Sequence, residues 1–309
     1  MDLKYVNILI FLLIAIPSCN TPDHQPFKKM ITNIDFQGHR GARGLLPENT
    51  IPAFLLALSF PEIKTLELDV AISVDEKVIV THEPYFSHHI SSHPDGRPVT
   101  EKEEKSLNIY QMTVEEIASF DVGKRGNTRF PDQQSLAVAK PTLSAMVAAI
   151  KEYCKENNRT FPFLDLEIKS RSDYYGLFFP QPEKFVQLVI KELSEMQILD
   201  KTNLQSFDVN ILEAIHKQAP EVSNSLLVEH PKSLEEHLST ISFKPSNYSP
   251  YFEFVTEDVI RKCKALDIKV IPWTVNELKD LQRMVDLGVD GIITDYPNRI
   301  QMINFKKLN

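Results

Sequence analysis

Acidic side chains interrupt two segments of the sequence that otherwise resemble buried β-strands. Glu67 and Asp69 alternate with leucine and valine, and Asp165 and Glu167 alternate with leucine and isoleucine, with Lys169 two positions further on. Because side chains two positions apart lie on the same face of a strand, each segment presents its charges on one side. The pattern has two explanations: edge strands with an acidic, solvated face, or inner strands that gather carboxylates in a shared site.

Carboxylates gathered inside a protein need compensating positive charge. Two like charges about 4 Å apart repel by roughly 4 kcal/mol at an effective dielectric constant of 20. Lys169 supplies one positive charge, and a hard divalent cation, which prefers oxygen ligands, would supply the rest. Asp165 lies deeper in its strand than Glu167, and we therefore expect it to be structural rather than a ligand.

Two histidines and an arginine lie where they could join these acids. His39 and Arg40 occupy a glycine-rich turn that follows the first predicted strand, and His82 follows another apolar segment. A histidine titrates near neutral pH, and an arginine presents a fixed fork that fits two phosphate oxygens. A His-Arg-Gly turn is weak evidence alone, but its place at the same end of the predicted fold as the acids indicates chemistry.

The order of the predicted elements shows how these side chains could meet. Strands and amphipathic helices alternate about eight times, which is typical of a (β/α)8 TIM barrel in the α/β class, with an open, doubly wound sheet as the rival fold. The predicted strands are 34–37, 65–72, 161–169, 202–207, 223–228, 269–275 and 289–294, with a weaker candidate at 241–244. The predicted helices are 49–58, 142–157, 182–198, 209–218, 234–238, 257–266 and 277–287.

The segment 83–140 breaks this alternation and is too long for a loop between a strand and a helix. We interpret it as an insertion at the catalytic end of the barrel. It contains His88, His89 and His93, which could bind a transition metal, although a solvated polar loop fits their pattern better because nothing fixes their geometry.

Composition excludes several classes of protein. With 42% hydrophobic and 25% charged residues, the chain resembles a soluble globular protein rather than a disordered chain or a multi-span membrane protein. A net charge of −8 offers no basic field, so we expect no nucleic-acid partner.

The first residues have the pattern of an export signal. A lysine precedes a short apolar run that ends at Pro17-Ser18-Cys19, and the run is too short to span a bilayer permanently. We predict a lipoprotein-like signal peptide over 1–18, lipidation of Cys19, and a tether over 19–33; an ordinary cleaved signal is the alternative. The protein would then be an exported bacterial lipoprotein, facing the periplasm or held in the outer membrane, with contact to the membrane only through Cys19.

Cys154 and Cys263 would be the two other cysteines of the mature chain. Both fall in line with apolar residues of predicted helices, so we interpret them as small core residues. A disulfide between them is possible in an oxidising compartment, but nothing in the sequence requires it.

Several motifs, taken together and in order, resemble the glycerophosphodiester phosphodiesterase family. The resemblance extends from Phe36 to about Ile300. Its motifs are His39-Arg40-Gly41, Pro47-Glu48-Asn49-Thr50, Glu67-x-Asp69, His82, Glu167-x-Lys169, Gln205-Ser206-Phe207, Trp273-Thr274-Val275-Asn276 and 288–297. The family resemblance implies a (β/α)8 barrel over 34–305 with an insertion after the second strand. Glu83 stands where Asp is often found after the second histidine.

The resemblance also implies roles for individual residues. His39 and His82 would be the acid–base pair, while Arg40 and Lys169 would bind the phosphate. The metal ligands would be Glu67, Asp69 and Glu167, holding Ca²⁺ or Mg²⁺. Trp273 either walls the glycerol moiety or caps the core, and Gln205, Glu229 and Asp295 would lie near the pocket without an assigned role.

The expected activity is metal-dependent hydrolysis of a small glycerophosphodiester to sn-glycerol 3-phosphate and an alcohol. Two alternatives stay open: a phospholipase-type phosphodiesterase that acts on lyso- or intact phospholipids, and a non-catalytic binding lipoprotein on the same barrel. The oligomeric state is open as well.

Overall fold

The computed structural model of the chain describes residues 34–305. The predicted signal peptide, the lipidated Cys19 and the tether lie outside the described residues and stay predictions. Within residues 34–305, no helix is both long enough and apolar enough to cross a membrane.

Eight parallel strands and one antiparallel strand form the sheet of the described region. They are β1 (Asp35–Gly38), β2 (Ile63–Ile72), β3 (Val78–Val80), β4 (Phe163–Ile168), β5 (Thr202–Ser206), β6 (Asn224–Val228), β7 (Asn247–Pro250), β8 (Lys269–Val270) and β9 (Gly291–Thr294). The parallel strands follow the order β8-β7-β6-β5-β4-β2-β1-β9, and β3 pairs antiparallel with β2.

Backbone hydrogen bonds between the two ends of this order nearly close the sheet into a barrel. The Asp290 N–H donates to the Val270 carbonyl at 3.0 Å, and the Ile293 N–H donates to the Pro272 carbonyl at 3.0 Å. The Val275 N–H in turn donates to the Ile293 carbonyl at 2.9 Å. This closure confirms the predicted TIM barrel and rules out the open, doubly wound sheet.

Helices follow most of the strands and cover the barrel. They are α1 (Ile51–Ser59), α2 (Val114–Ala118), α3 (Leu143–Glu156), α4 (Pro182–Glu195), α5 (Val209–Gln218), α6 (Leu234–Leu238), α7 (Glu257–Ala265) and α8 (Leu278–Leu287). Polar residues cap several of them: the Thr50 hydroxyl accepts from the Ala53 N–H at the start of α1, and Thr142 accepts from the Ala145 N–H at the start of α3.

The alternation along β2 explains how one strand serves both the core and the lumen. Leu66, Leu68 and Val70 are fully buried in the apolar core between the sheet and the helices. Glu67 and Asp69 therefore point the other way, into the barrel. The same alternation in β4 sets Asp165 and Glu167 beside them, because Glu67 pairs with Asp165 and Asp69 pairs with Glu167 in the parallel register.

The predicted insertion lies between β3 and α3 and contains little regular structure. Its helical turns are Glu104–Ser106, Ile109–Gln111 and α2. It has apolar packing of its own, since Phe86 is fully buried and stacks on Phe120 with ring centroids 4.1 Å apart. The structure thus confirms an insertion that follows the second parallel strand, after the short return strand β3.

The strand prediction for 241–244 is wrong. The seventh parallel strand, β7, begins at Asn247, three residues beyond the predicted segment. Its inward residues Asn247 and Ser249 are polar, and Pro250 ends it, so it lacks the apolar signal by which a strand is recognised. The segment 269–275 is regular only over β8, although its later residues still bond to β9.

Cys154 and Cys263 are buried and unpaired, in agreement with core roles.

Replacement of Leu68 by alanine tests the packing behind the acids. We expect Leu68→Ala to lower the free energy of unfolding by about 2–5 kcal/mol, because a fully buried leucine leaves a cavity when truncated. Leu177→Ala is the matched control, since Leu177 is 58% exposed and should change stability by less than about 0.5 kcal/mol. Urea denaturation followed by circular dichroism measures both; equal effects would contradict the described packing.

Candidate active site

Three carboxylates that lie on two strands converge inside the barrel. One oxygen atom from each of Glu67, Asp69 and Glu167 lies within 4.8 Å of the others, and all three residues are buried. The explanation of an acidic face exposed to solvent is therefore wrong. Asp165 is also buried, but it turns away from this triad and accepts a hydrogen bond from Asn203 Nδ2 at 2.6 Å.

Two cations contact the acidic triad. Arg40 Nε lies 3.1 Å from Asp69 Oδ2, and Lys169 Nζ lies 3.1 Å from Glu167 Oε1. Burial alone would raise the pKa of Asp69, but Arg40, with help from His82 and Lys169, holds that pKa well below its usual range. Burial, reinforced by Asp69, raises the pKa of Glu67, and burial raises the pKa of Glu167 to about 7 despite the lysine.

The triad fits a hard divalent cation. Asp69 Oδ1 is buried and has no hydrogen-bond donor among the residues of the described chain, and Lys169 Nζ approaches it only to 3.9 Å. Three carboxylates of the triad contact two cations, Arg40 and Lys169, so the contacts leave an excess of negative charge. Oxygen ligands with excess negative charge are the donor set of Ca²⁺ and Mg²⁺.

The turn after β1 positions the triad from the side. The Arg40 N–H donates to Glu67 Oε2 at 2.9 Å. Gly41, at φ +85°, lets this turn approach α1 so closely that a β-carbon would lie 2.6 Å from the Ala53 carbonyl carbon. Further along, Asn49 donates through Nδ2 to Asp69 Oδ2 at 2.8 Å and accepts from the Asp69 N–H at 3.3 Å. Asn49 therefore fixes the orientation of the Asp69 carboxylate.

His39 is held by a carboxylate from the far end of the chain. Its Nδ1 lies 2.7 Å from Asp295 Oδ1, and its Nε2 lies 3.8 Å from Glu67 Oε2. Asp295 is in turn fixed by Arg43, at 2.7 Å and 3.0 Å to its two oxygens, and by Asn276 Nδ2 at 2.7 Å. Burial, with Arg43 adding to it, lowers the pKa of His39 to about 4. The ring is therefore neutral at pH 7 in this structure.

His82 reaches the triad because β3 folds back along β2. Val80 pairs with Val70, and the Thr81 N–H donates to the Asp69 carbonyl at 2.8 Å, so the next residue lies beside Asp69. His82 Nδ1 lies 2.8 Å from Glu83 Oε1. Burial, followed by the charges of Arg40 and Lys169, lowers the pKa of His82.

Both histidines line one cavity of about 400 Å³. Besides the two rings, its polar lining includes Arg40, Glu67, Glu167, Lys169, Gln205 and Glu229. Trp273 forms part of its apolar wall: the indole N–H donates to the Ser249 carbonyl at 2.9 Å, and the ring packs edge-on against Phe207. Trp273 is half-buried, so the interpretation as a wall fits better than that of a core cap.

The structure gives roles to residues that the sequence left without one. Gln205 Nε2 donates to Glu67 Oε1 at 3.2 Å, and Asp295 holds His39. Arg43 has no predicted role, and Asn49 is named only as part of the Pro47-Glu48-Asn49-Thr50 motif. The available signals were a second arginine in the His-Arg-Gly turn and a polar side chain at the entrance to a helix, and neither reveals a partner that lies elsewhere in the sequence.

These features define a class of protein. A barrel that holds buried acids, two imidazoles and two cations in one cavity at the carboxyl ends of its strands is an enzyme that hydrolyses an anionic ester. The glycerophosphoryl diester phosphodiesterase family model matches residues 39–299, and the chain therefore belongs to this family.

Relatives of known sequence and structure agree with this assignment. A glycerophosphodiester phosphodiesterase of Caldanaerobacter subterraneus subsp. tengcongensis is 26% identical, with 85% of this chain and 94% of the relative covered. A Silicibacter pomeroyi structure assigned as a glycerophosphoryl diester phosphodiesterase has a TM-score of 0.77 and 31% identity, covering 87% and 92% of the two chains. An Oleispira antarctica phosphodiesterase, solved with the product sn-glycerol-3-phosphate, shares the fold at a TM-score of 0.68, with 23% identity and coverage of 88% and 96%.

Loss of the Asn49 side chain tests the fit of the acidic triad to a cation. We expect Asn49→Ala to weaken binding of Ca²⁺ or Mg²⁺ by roughly 10- to 100-fold, because residues that orient a metal ligand contribute that much to affinity. Isothermal titration calorimetry measures the affinity of the variant and of the wild type for each ion. The control is Asn157→Ala, which removes an exposed amide that bonds only to the Tyr153 carbonyl. Unchanged affinity in Asn49→Ala would contradict its positioning role.

Proposed function

We propose that this protein hydrolyses glycerophosphodiesters to sn-glycerol 3-phosphate and an alcohol by acid–base catalysis with His39 and His82. One observation carries the proposal: the two imidazoles, the cations Arg40 and Lys169, and two acids of the triad, Glu67 and Glu167, line a single cavity, with Asp69 buried beside them. The family membership and the relative that holds sn-glycerol-3-phosphate support the substrate class.

The reaction requires stabilisation of negative charge. A phosphodiester is an anion, and its cleavage adds charge to the non-bridging oxygens and to the departing alkoxide. Arg40 and Lys169 are buried cations at the wall of the cavity, where fixed positive charge is worth far more than in water. They bind the phosphate and hold it between the two imidazoles.

Ca²⁺ or Mg²⁺ is the cofactor that we propose for the triad, with Glu67, Asp69 and Glu167 as its protein ligands. When bound, such an ion supplies Lewis-acid stabilisation of a phosphoryl oxygen. The protein itself fixes the three ligands through Asn49, Gln205 and the backbone of Arg40.

The hydrogen bonds of the two rings suggest their division of labour. The buried Asp295 carboxylate accepts a hydrogen bond from His39 Nδ1–H, so the lone pair on Nε2 is free to take a proton. Once the ring is protonated, the same carboxylate stabilises the imidazolium. We assign His39 as the base that activates the nucleophile, either the neighbouring glycerol hydroxyl or water. His82 would protonate the alcohol that leaves, and its hydrogen bond to Glu83 favours the protonated ring that this role needs, against the lowering of its pKa by burial.

The two alternative functions fit the site less well. An enzyme that acts on phospholipids with long acyl chains needs an extended apolar surface near the site, whereas the insertion presents Glu83, His88, His89 and Glu104 in an adjoining space that His82 also lines. A non-catalytic binding protein does not need a paired acid and base. Both remain outcomes of the assay below, since a binding protein would retain the diester unchanged.

Incubation of the purified protein with glycerophosphocholine tests the activity. We expect choline and sn-glycerol 3-phosphate in equal amounts, loss of turnover on chelation with EDTA, and recovery on addition of Ca²⁺ or Mg²⁺. Enzymatic detection of both products measures the reaction, and lysophosphatidylcholine in parallel tests the phospholipase alternative. Bound but intact glycerophosphocholine would refute hydrolysis, and turnover that is insensitive to EDTA would refute the metal requirement.

Substitution of the imidazoles tests the catalytic assignment. We expect His39→Gln and His82→Gln each to lower kcat by about 10²- to 10⁴-fold, since each removes a proton-transfer group. The control is His216→Gln, which replaces an exposed imidazole of α5 that does not line the cavity. Thermal unfolding should be nearly unchanged in all three variants. Turnover close to that of the wild type in either catalytic variant would exclude that histidine.

A further inference from the structure

A second cavity of about 260 Å³ lies between the barrel and the insertion, on the other side of His82 from the catalytic cavity. His82, Arg40 and Arg43 line both cavities, so the two spaces meet at the proposed acid. The chain enters the insertion at Thr81 and leaves it at Lys140, and both of these residues line the second cavity. Any group that extends from the phosphate past His82 therefore enters this space.

Most charges around the second cavity are already paired. Arg40 contacts Glu48 at 2.8 Å, and Arg43 contacts Asp295 at 2.7 Å. Glu83 is bonded to His82, and Glu104 accepts from both the ring and the backbone N–H of His88. Two cations of the lining, Lys140 and Arg129, have no carboxylate within 4.0 Å among the residues of the described part of the chain.

A hydroxyl group and an aromatic ring position the ammonium group of Lys140. Its ammonium group donates to Thr81 Oγ1 at 2.5 Å, and the Thr81 hydroxyl in turn donates to the Glu83 carbonyl. The ammonium nitrogen also lies 5.3 Å from the centre of the buried Phe86 ring. The ammonium group has three hydrogens and, within residues 34–305, one hydrogen-bond partner, which leaves donors for a ligand.

Burial also bears on this lysine, because it lowers the pKa of Lys140 to about 8, against the opposing effect of Glu48 and Glu83. Lys140 is half-buried, and withdrawing a cation from water without an ion pair is costly, so an anionic ligand beside it would offset that cost. Arg129 lies at the exposed side of the cavity and bonds only weakly to Asn127. Both cations therefore line the cavity, with Arg129 exposed to solvent and Lys140 half-buried.

We propose that the second cavity binds the alcohol arm of the diester and that Lys140, assisted by Arg129, selects alcohols that carry an anionic group of their own. This proposal rests on the proposed function. The anionic group is a carboxylate, as in a serine head group, or a second phosphate, as in a phosphorylated glycerol head group. Both present the same charged oxygens to an ammonium and a guanidinium.

Two matched pairs of substrates test the proposal. Glycerophosphoserine differs from glycerophosphoethanolamine by one carboxylate, and glycerophosphoglycerol with a terminal phosphate differs from glycerophosphoglycerol by one phosphate. We expect Lys140→Met to lower kcat/KM roughly tenfold or more for at least one anionic member and less than about twofold for its neutral partner. The pair that responds identifies the carboxylate or the phosphate as the preferred group.

Three further variants separate recognition from structure. Lys140→Arg keeps the charge and should retain the preference, whereas Arg129→Gln, at an exposed position, should reduce it to a smaller extent. Lys124→Met removes an exposed lysine of the insertion that lines neither cavity and should change nothing. Equal losses for both members of each pair, or no loss in either Lys140→Met or Arg129→Gln, would overturn the subsite while leaving hydrolysis intact. A wild-type protein inactive on all four diesters would overturn the proposed function as well.

Discussion

The structure depends on one electrostatic constraint: three carboxylates are buried within reach of a single ion. Glu67, Asp69 and Glu167 would repel one another strongly in a medium of low dielectric constant. Together with Glu48, which shares Arg40 with Asp69, they make four linked carboxylates against the two cations Arg40 and Lys169. These carboxylates outnumber the two cations that join them, and a divalent cation in the triad would offset the excess of negative charge.

The barrel satisfies this constraint by separating the two faces of its strands. In β2 the leucines and valine supply the apolar burial against the helices, while the lumen-facing positions of β2, β4 and β5 are free to be polar. Gln205 and Asn49 then use those positions, or the adjoining turn, to donate to the acids. The stability of the fold and the chemistry of the site therefore depend on different atoms of the same strands.

Much of this arrangement could be predicted, because alternation in a strand is a local property. The pairs Glu67 with Asp69 and Glu167 with Lys169 are readable from spacing alone, and the repeated strand and helix pattern predicts the barrel that brings them together. The strand β7 could not be predicted in this way, because its residues that face the lumen are polar and the strand therefore lacks an apolar pattern. The same polar lining of the lumen is what allows a site to form there.

The pairing of His39 with Asp295 could not be predicted in the same way. The two residues are 256 positions apart and meet only because β1 pairs with β9 when the barrel closes. The position of His82 has a similar origin, since it follows from the return of β3 along β2 rather than from any spacing to the acids. Local patterns thus predict which residues can carry charge, and closure of the barrel decides which of them become partners.

The insertion adds a function that the barrel alone does not provide. Arg40 and Lys169 each contact a carboxylate of the acidic triad, Asp69 and Glu167 respectively. Lys140 and Arg129 form no ion pair with any residue of the described chain, and they line the second cavity next to His82. In our proposal, the barrel cations Arg40 and Lys169 recognise the phosphodiester, which all substrates of the reaction share. The insertion cations Lys140 and Arg129 then discriminate between the head groups of these substrates.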